Sequence, residues 1–205
     1  MNDFLNNIKR LKNIADLGLL YAKDPFDRER YEELLDISLK MMSQLTDTPH
    51  SKITHFYTPT TDYPTPKVDI RALVLNEKNQ ILLVRESSDG RWSLPGGWAD
   101  VGLAAREVAV KEVFEETGLS VKTERLLAVF DKKCHPHPPQ PLYVYKFVVL
   151  CRYISGAFKV PHDILEIGYF DIEKLPPLSE NRILASQIAL VFQKVADNDL
   201  TTYFD

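Results

Sequence analysis

The chain is predicted to fold as a mixed α/β (α+β) domain with a small helical extension. Three observations carry this. Apolar runs with strand character, starting near Val68, flank one helix-forming stretch that ends at Gly118. An apolar helical pattern closes the chain, and two more helical stretches precede the first strand. That order gives a mixed sheet with helices on its faces. A length of 205 residues suits one sizeable domain plus an appendage.

Residues 3–22 read as a helix with Phe4, Ile8, Leu11 and Ala15 along one side. Asp24-Pro25 then supplies a cap and first turn for a second helix, which runs to about Leu45. Tyr31, Leu34, Leu35, Ser38, Met42 and Leu45 form its stripe, and Ile37, Leu39 and Met41 widen the apolar surface. Two short helices cannot bury that surface alone. They must pack on the main domain, on another subunit, or on both, and a homodimer through these helices is expected. Residues 46–66 are rich in Thr, Pro and Asp and read as an extended linker. The expected division is therefore 1–46 helical extension, 47–66 linker and 67–205 main domain.

Strand signals begin where Val68, Ile70, Ala72 and Val74 alternate with Asp69, Arg71 and Leu73. Ile81–Val84, Leu126–Phe130 and Leu142–Tyr153 continue them, and a last helix is expected over Glu180–Ala196. The net charge of −4, with both signs interspersed, lacks the footprint of a dedicated nucleic-acid binder. No apolar run approaches the roughly 18–20 residues of a membrane span. The N-terminus has no signal-peptide core. Cys134 and Cys151 have no metal-type spacing, and reduced thiols fit a cytoplasmic protein.

The functional signal lies in residues 95–119, Pro-Gly-Gly-Trp through Glu-Glu-Thr-Gly-Leu. Glu112, Glu115 and Glu116 stand at helical i, i+3 and i+4 and project together. Ala109, Val110, Val113, Phe114 and Thr117 fall on the opposite, core-facing side, and Gly118 ends the helix. Three adjacent carboxylates repel one another unless a cation sits between them. A hard divalent ion, Mg²⁺ or Mn²⁺, suits oxygen donors of this kind. The Gly96 carbonyl is a further candidate ligand, because glycines let a turn approach an ion closely.

This segment resembles the Nudix box, Gly-x5-Glu-x7-Arg-Glu-U-x-Glu-Glu-x-Gly-U, with U aliphatic. Gly97 takes the first Gly, Glu112 the second Glu, Val113 the U, Glu115-Glu116 the acid pair and Gly118-Leu119 the end. Two positions depart: Leu103 stands for the first Glu and Lys111 for the Arg. Lys111 keeps the charge and reaches Glu115 at i+4, but lacks the planar fork. Residues 21–34 resemble the helical extension of a bacterial subgroup of ADP-ribose or CDP-choline pyrophosphatases.

The resemblance implies an α/β/α sandwich over about residues 67–200. It implies Mg²⁺-dependent hydrolysis of a nucleoside diphosphate linked to a group X, with ADP-ribose ahead of CDP-choline. Glu112 and Glu116 are then direct metal ligands, and Glu115 is a third or water-mediated one. Glu166 matches a late family Glu that serves as extra ligand or base; an exposed loop Glu is the alternative. Arg71 and Arg85 read as surface arginines, with phosphate contact as their functional alternative. Trp98 reads as core packing, with a cleft wall as the alternative. A nucleotide sensor without catalysis and an RNA-processing Nudix enzyme are the rival classes. The dimer is implied a second time by the subgroup.

Overall fold

A computed structural model describes residues 2–57 and 63–205. The backbone divides into two units, Met1–Pro66 with Pro138–Tyr143, and Lys67–His137 with Val144–Asp205.

The first unit is built on α1 (Asn2–Tyr21), α2 (Pro25–Thr46) and α3 (His50–Phe56). The Asp24 carboxylate accepts from the Phe26 and Asp27 N–H groups at 2.8 and 3.1 Å, so α2 starts where the Asp-Pro signal placed it. Leu5, Ile8, Ala15, Leu35, Leu39, Met42 and Ile53 form its core. Gly18 lies against the Tyr31 ring, which leaves no room for a Cβ there. The extended reading of 46–66 is corrected for residues 50–56. Ile53 is apolar enough to be fully buried, which favours a third helix over a solvated linker. Residues 58–62 lie outside the described residues. From Pro138–Tyr143, the Pro141 carbonyl accepts the Tyr57 hydroxyl at 2.5 Å and the Leu142 carbonyl accepts Lys9 Nζ at 2.9 Å.

The second unit contains β1 (Lys67–Val74), β2 (Ile81–Glu86), β3 (Trp92–Ser93), β4 (Gly96–Trp98), α4 (Ala105–Thr117), β5 (Leu119–Asp131), β6 (Val144–Gly156), β7 (Ile164–Phe170), α5 (Ala185–Ala196) and β8 (Tyr203–Phe204). A mixed five-stranded sheet runs β4-β1-β6-β5-β8, and a smaller sheet runs β3-β2-β7. Strand β1 lies parallel to β6 and antiparallel to β4. One core joins Leu73, Leu83, Phe130, Val148 and Leu150 to Ile188 and Val191 of α5. A second joins Ile70, Ala72, Val74, Leu82 and Val149 to Val108, Ala109 and Val113 of α4. Strand β1 is thus covered on both faces. The last helix starts at Ala185, not Glu180. Residues 179–184 are instead drawn into side-chain contacts, with Ser179 Oγ on Asp89 at 2.6 Å and Arg182 Nε on Glu86 at 3.1 Å.

Candidate active site

The site is assembled where the Gly96-Gly97 turn, at the sheet edge, meets the C-terminal half of α4. Gly96 has φ +146, and a Cβ there would overlap the Ile70 carbonyl. At Gly97 a Cβ would lie 2.9 Å from Glu112 Oε2. Both glycines are therefore needed for the backbone to lie between β1 and the helix carboxylates. The Gly96 N–H donates to Glu116 Oε2 at 2.9 Å. Ala72 N–H donates to Pro95 and Ala99 N–H to Val68 across the same ladder, so antiparallel alternation leaves the Gly96 carbonyl facing away from β1 as well.

The helix does not divide cleanly into an acid face and an apolar face. Glu116 is i+7 from Ala109 and i+3 from Val113, so it shares their buried stripe and is only 9% exposed. Phe114, expected on the core side, is 57% exposed. Burial pushes the Glu116 carboxyl up to about 8, opposed by Arg71 and by the Gly96 N–H. Glu112 is also pushed up by burial, with Lys111 opposing.

Arg71 is a buried residue, not a surface arginine. Strand alternation points Asp69 and Arg71 away from α4's apolar contacts, and α5's core covers that face too. Its Nε meets Asp69 at 3.0 Å, and its Nη1 donates to the Leu94 carbonyl at 3.0 Å and Ser93 Oγ at 3.3 Å. Burial works against its charge, while Glu116, Glu86 and Glu112 support it. Fully buried Lys146 contacts the other Asp69 oxygen. Burial lowers the Lys146 pKa from the ordinary lysine range. Glu86, held by Arg182, lies 3.9 Å from Arg71. Asp69, Glu86, Lys146 and Arg182 were missed from sequence. For Asp69 the signal was the Asp-x-Arg alternation along β1; the other three come from far along the chain, and spacing carried none for them.

On the outer side, Lys111 Nζ lies 2.9 Å from Glu115, 3.2 Å from Asp100 and 3.7 Å from Glu112. Hydrogen bonds to Glu115 and then Asp100 raise its pKa. Glu115 is 54% exposed and turned to this lysine, while Glu116 turns to Gly96. The three acids expected to project together are thus spread between two sides of the helix, and among the described residues no group of three His, Cys, Asp or Glu that could hold a metal ion is formed. The donor chemistry still fits a hard cation. Glu112, Glu116 and the Gly96 carbonyl all offer oxygen at the turn, and burial, which pushes the Glu116 carboxyl up, would be offset by a cation.

Three other expected residues do not join this cluster. Arg85 and Glu166 face each other across β2 and β7 at 3.6 Å; Glu166 is exposed, and half-buried Arg85 also donates to the Gly90 carbonyl at 2.9 Å. Alternation sets Glu166 on the face of β7 opposite Ile167 and Tyr169, which pack with the α4 core. Trp98 is 51% exposed, so it is not a core residue; it ends β4, an edge strand. Between β5 and β6, His135 pairs with Asp205 at 2.9 Å and His137 with the Glu180 carbonyl at 2.6 Å. No helix among the described residues is long and apolar enough to cross a membrane.

Both parts of the chain are similar to known proteins. Residues 65–190 match the NUDIX domain, and residues 2–57 match a UDP-X-like, N-terminal oligomerisation domain. A Bacillus subtilis protein named "Putative ADP-ribose pyrophosphatase YjhB" is 42% identical over 98% of this chain and 97% of its own length. The crystal structure of a UDP-X diphosphatase superimposes with TM-score 0.65 at 39% identity, covering 99% of this chain and 98% of that one. An ADP-ribose pyrophosphatase from Streptococcus suis superimposes with TM-score 0.62 at 40% identity, covering 69% of this chain and all of that one.

Proposed function

The chain belongs to the Nudix family, and from that premise we propose that it is a pyrophosphohydrolase for nucleoside diphosphates linked to a second group X. The observation that carries the reading is the Gly96-Gly97 turn, held against the Glu112 and Glu116 carboxylates with buried Arg71 behind them. Products are a nucleoside monophosphate and X-phosphate.

Glu112 and Glu116 would hold a divalent ion, Mg²⁺ or Mn²⁺, directly, with the Gly96 carbonyl beside them and Glu115 contributing from the outer side. Bound there, the ion supplies charge neutralisation at the diphosphate and acidification of water. Arg71 stabilises the ionised form of Glu116 in a buried setting. Gly97 keeps the Glu112 carboxylate at the turn by leaving no side chain in its place. Trp98, half exposed at the end of β4, is a wall for the substrate. Glu166 is paired with Arg85 across β2 and β7, and a role as the base would require it to leave that pair.

ADP-ribose is favoured by the names of two similar proteins, and a UDP-linked substrate by the third and by the N-terminal domain match. CDP-choline follows from the subgroup resemblance. The test is turnover of ADP-ribose, UDP-sugars and CDP-choline with and without Mg²⁺. Metal-dependent release of a nucleoside monophosphate from at least one is expected. Tight binding of a conjugate without cleavage of any would favour the sensor class instead.

The helical unit makes the protein a homodimer. Phe4, Leu11, Ile14 and Tyr21 form an exposed apolar stripe on α1 beside the buried Ile8 and Ala15, and Ile37 of α2 is exposed too. Light scattering on the full chain should give twice the chain mass. Leu11→Glu with Ile14→Glu should give a folded monomer; a full-length monomer at micromolar concentration refutes the assignment.

A further inference from the structure

We propose that Asp100 is a positioning residue that supplies, through Lys111, the carboxylate which the Nudix box pattern puts at position 103. The inference rests on the hydrolase reading for its purpose, but not for its geometry. Position 103 is Leu, 41% exposed, and brings no charge. Three residues earlier, Asp100 Oδ2 lies 3.2 Å from Lys111 Nζ. Asp100 sits in the loop that joins the glycine turn to α4, so this pair ties the loop to the helix. The Leu103 N–H donates to the Asp100 carbonyl at 3.3 Å, a turn that places the two residues at one bend.

The consequence concerns how the lysine is shared. Its ammonium has three donors and no fixed plane. It bonds Glu115 at 2.9 Å and Asp100 at 3.2 Å, while Glu112 stays at 3.7 Å, beyond a hydrogen bond. Asp100 thus draws Lys111 toward the loop, so that Glu112 keeps only a longer ion pair with it through Oε1, while Oε2 lies beside Gly97. Without Asp100, the unmatched donor turns to Glu112 and competes for the oxygens offered to a cation. Asp100 touches neither substrate nor ion; it acts by holding Lys111 off Glu112.

The test is Mn²⁺ titration of the full chain, read by the paramagnetic resonance signal of free Mn²⁺. Asp100 acts on Glu112 at one remove, through an exposed pair, so Asp100→Asn should weaken Mn²⁺ binding by about three- to fivefold. Because Asp100 acts through Lys111, Asp100→Asn added to Lys111→Met should cost no more than Lys111→Met alone, within the roughly twofold scatter of additive changes. Leu103→Glu in the Asp100→Asn background should restore most of the affinity. Overturning results are an Asp100→Asn chain within about twofold of the parent, additive losses in the double variant, or no recovery with Leu103→Glu. A parent chain that binds Mn²⁺ with this pattern yet cleaves no conjugate defeats the hydrolase reading and leaves the Asp100 assignment standing.

Discussion

Glu115 and Glu116 are neighbours in the chain, yet the inner and outer sides of α4 treat them oppositely. Glu116 is buried against Gly96, with Arg71, Asp69 and Lys146 behind it. Glu115 is exposed and paired to Lys111 one turn back. Desolvation dominates on the inner side and pushes Glu116 up to about 8. The outer side has water to screen its charges, and an exposed pair there is worth only about 0–1 kcal/mol. The two acids of one motif therefore differ in what a substitution removes. On the inner side it removes a buried charge site, and on the outer side a solvated tether.

The largest effect should come from Glu116→Gln. Turnover should fall by about 10²–10³, the usual cost of losing one stabilising group at the reacting centre. A variant retaining a third of the activity at saturating metal would erase the contrast between the sides. Gly97→Ala comes next. Its Cβ would lie 2.9 Å from Glu112 Oε2, and a displacement of about 1 Å at a reacting site can cost about 10²-fold. Steady-state kinetics with a circular-dichroism check on folding reads both.

The inner side should also be visible in pH. The metal-free native chain holds a proton on Glu116 up to about pH 8, whereas the unfolded chain releases it near 4.5. Between those values the native state binds more protons, so stability falls as pH rises, by at most about 1.4 kcal/mol per unit. The penalty is complete above about 8. Urea unfolding with chelator should show Glu116→Gln flattening this slope and being the more stable chain at high pH. Metal binding at neutral pH should release a proton and tighten by up to about tenfold per pH unit as pH rises toward 8. Calorimetry in buffers of different ionisation enthalpy measures that release.

Glu115→Gln should cost less than about tenfold, since it breaks an exposed pair worth about 1 kcal/mol or less. A loss as large as that of Glu116→Gln would mean that Glu115 swings inward when metal binds. Smallest of all is Glu166→Gln, expected within about twofold of the parent because it removes only the exposed Arg85 pair. A changed acid limb in its pH–rate profile would bring Glu166 back as the base.

Much of this site was legible in the chain itself. Gly96-Gly97, the acids at helical spacing and Gly118 as terminator are local features, set by backbone freedom and by the 3.6-residue turn. Lys111 reaching Glu115 follows from the same spacing. The Asp24-Pro25 cap and the apolar pattern of α1 and α2 were local as well. What the tertiary structure decided is which charges are buried. Asp69 and Arg71 alternate with apolar residues as in a strand with one wet face, but α5 and the smaller sheet cover that face. Glu116 is as polar in sequence as Glu115, but β4 closes over it alone. Glu166 could not be assigned to a face of β7 until Ile167 and Tyr169 had packed toward α4. Desolvation depends on what comes to lie over a residue from far along the chain, and spacing within one element carries no record of it.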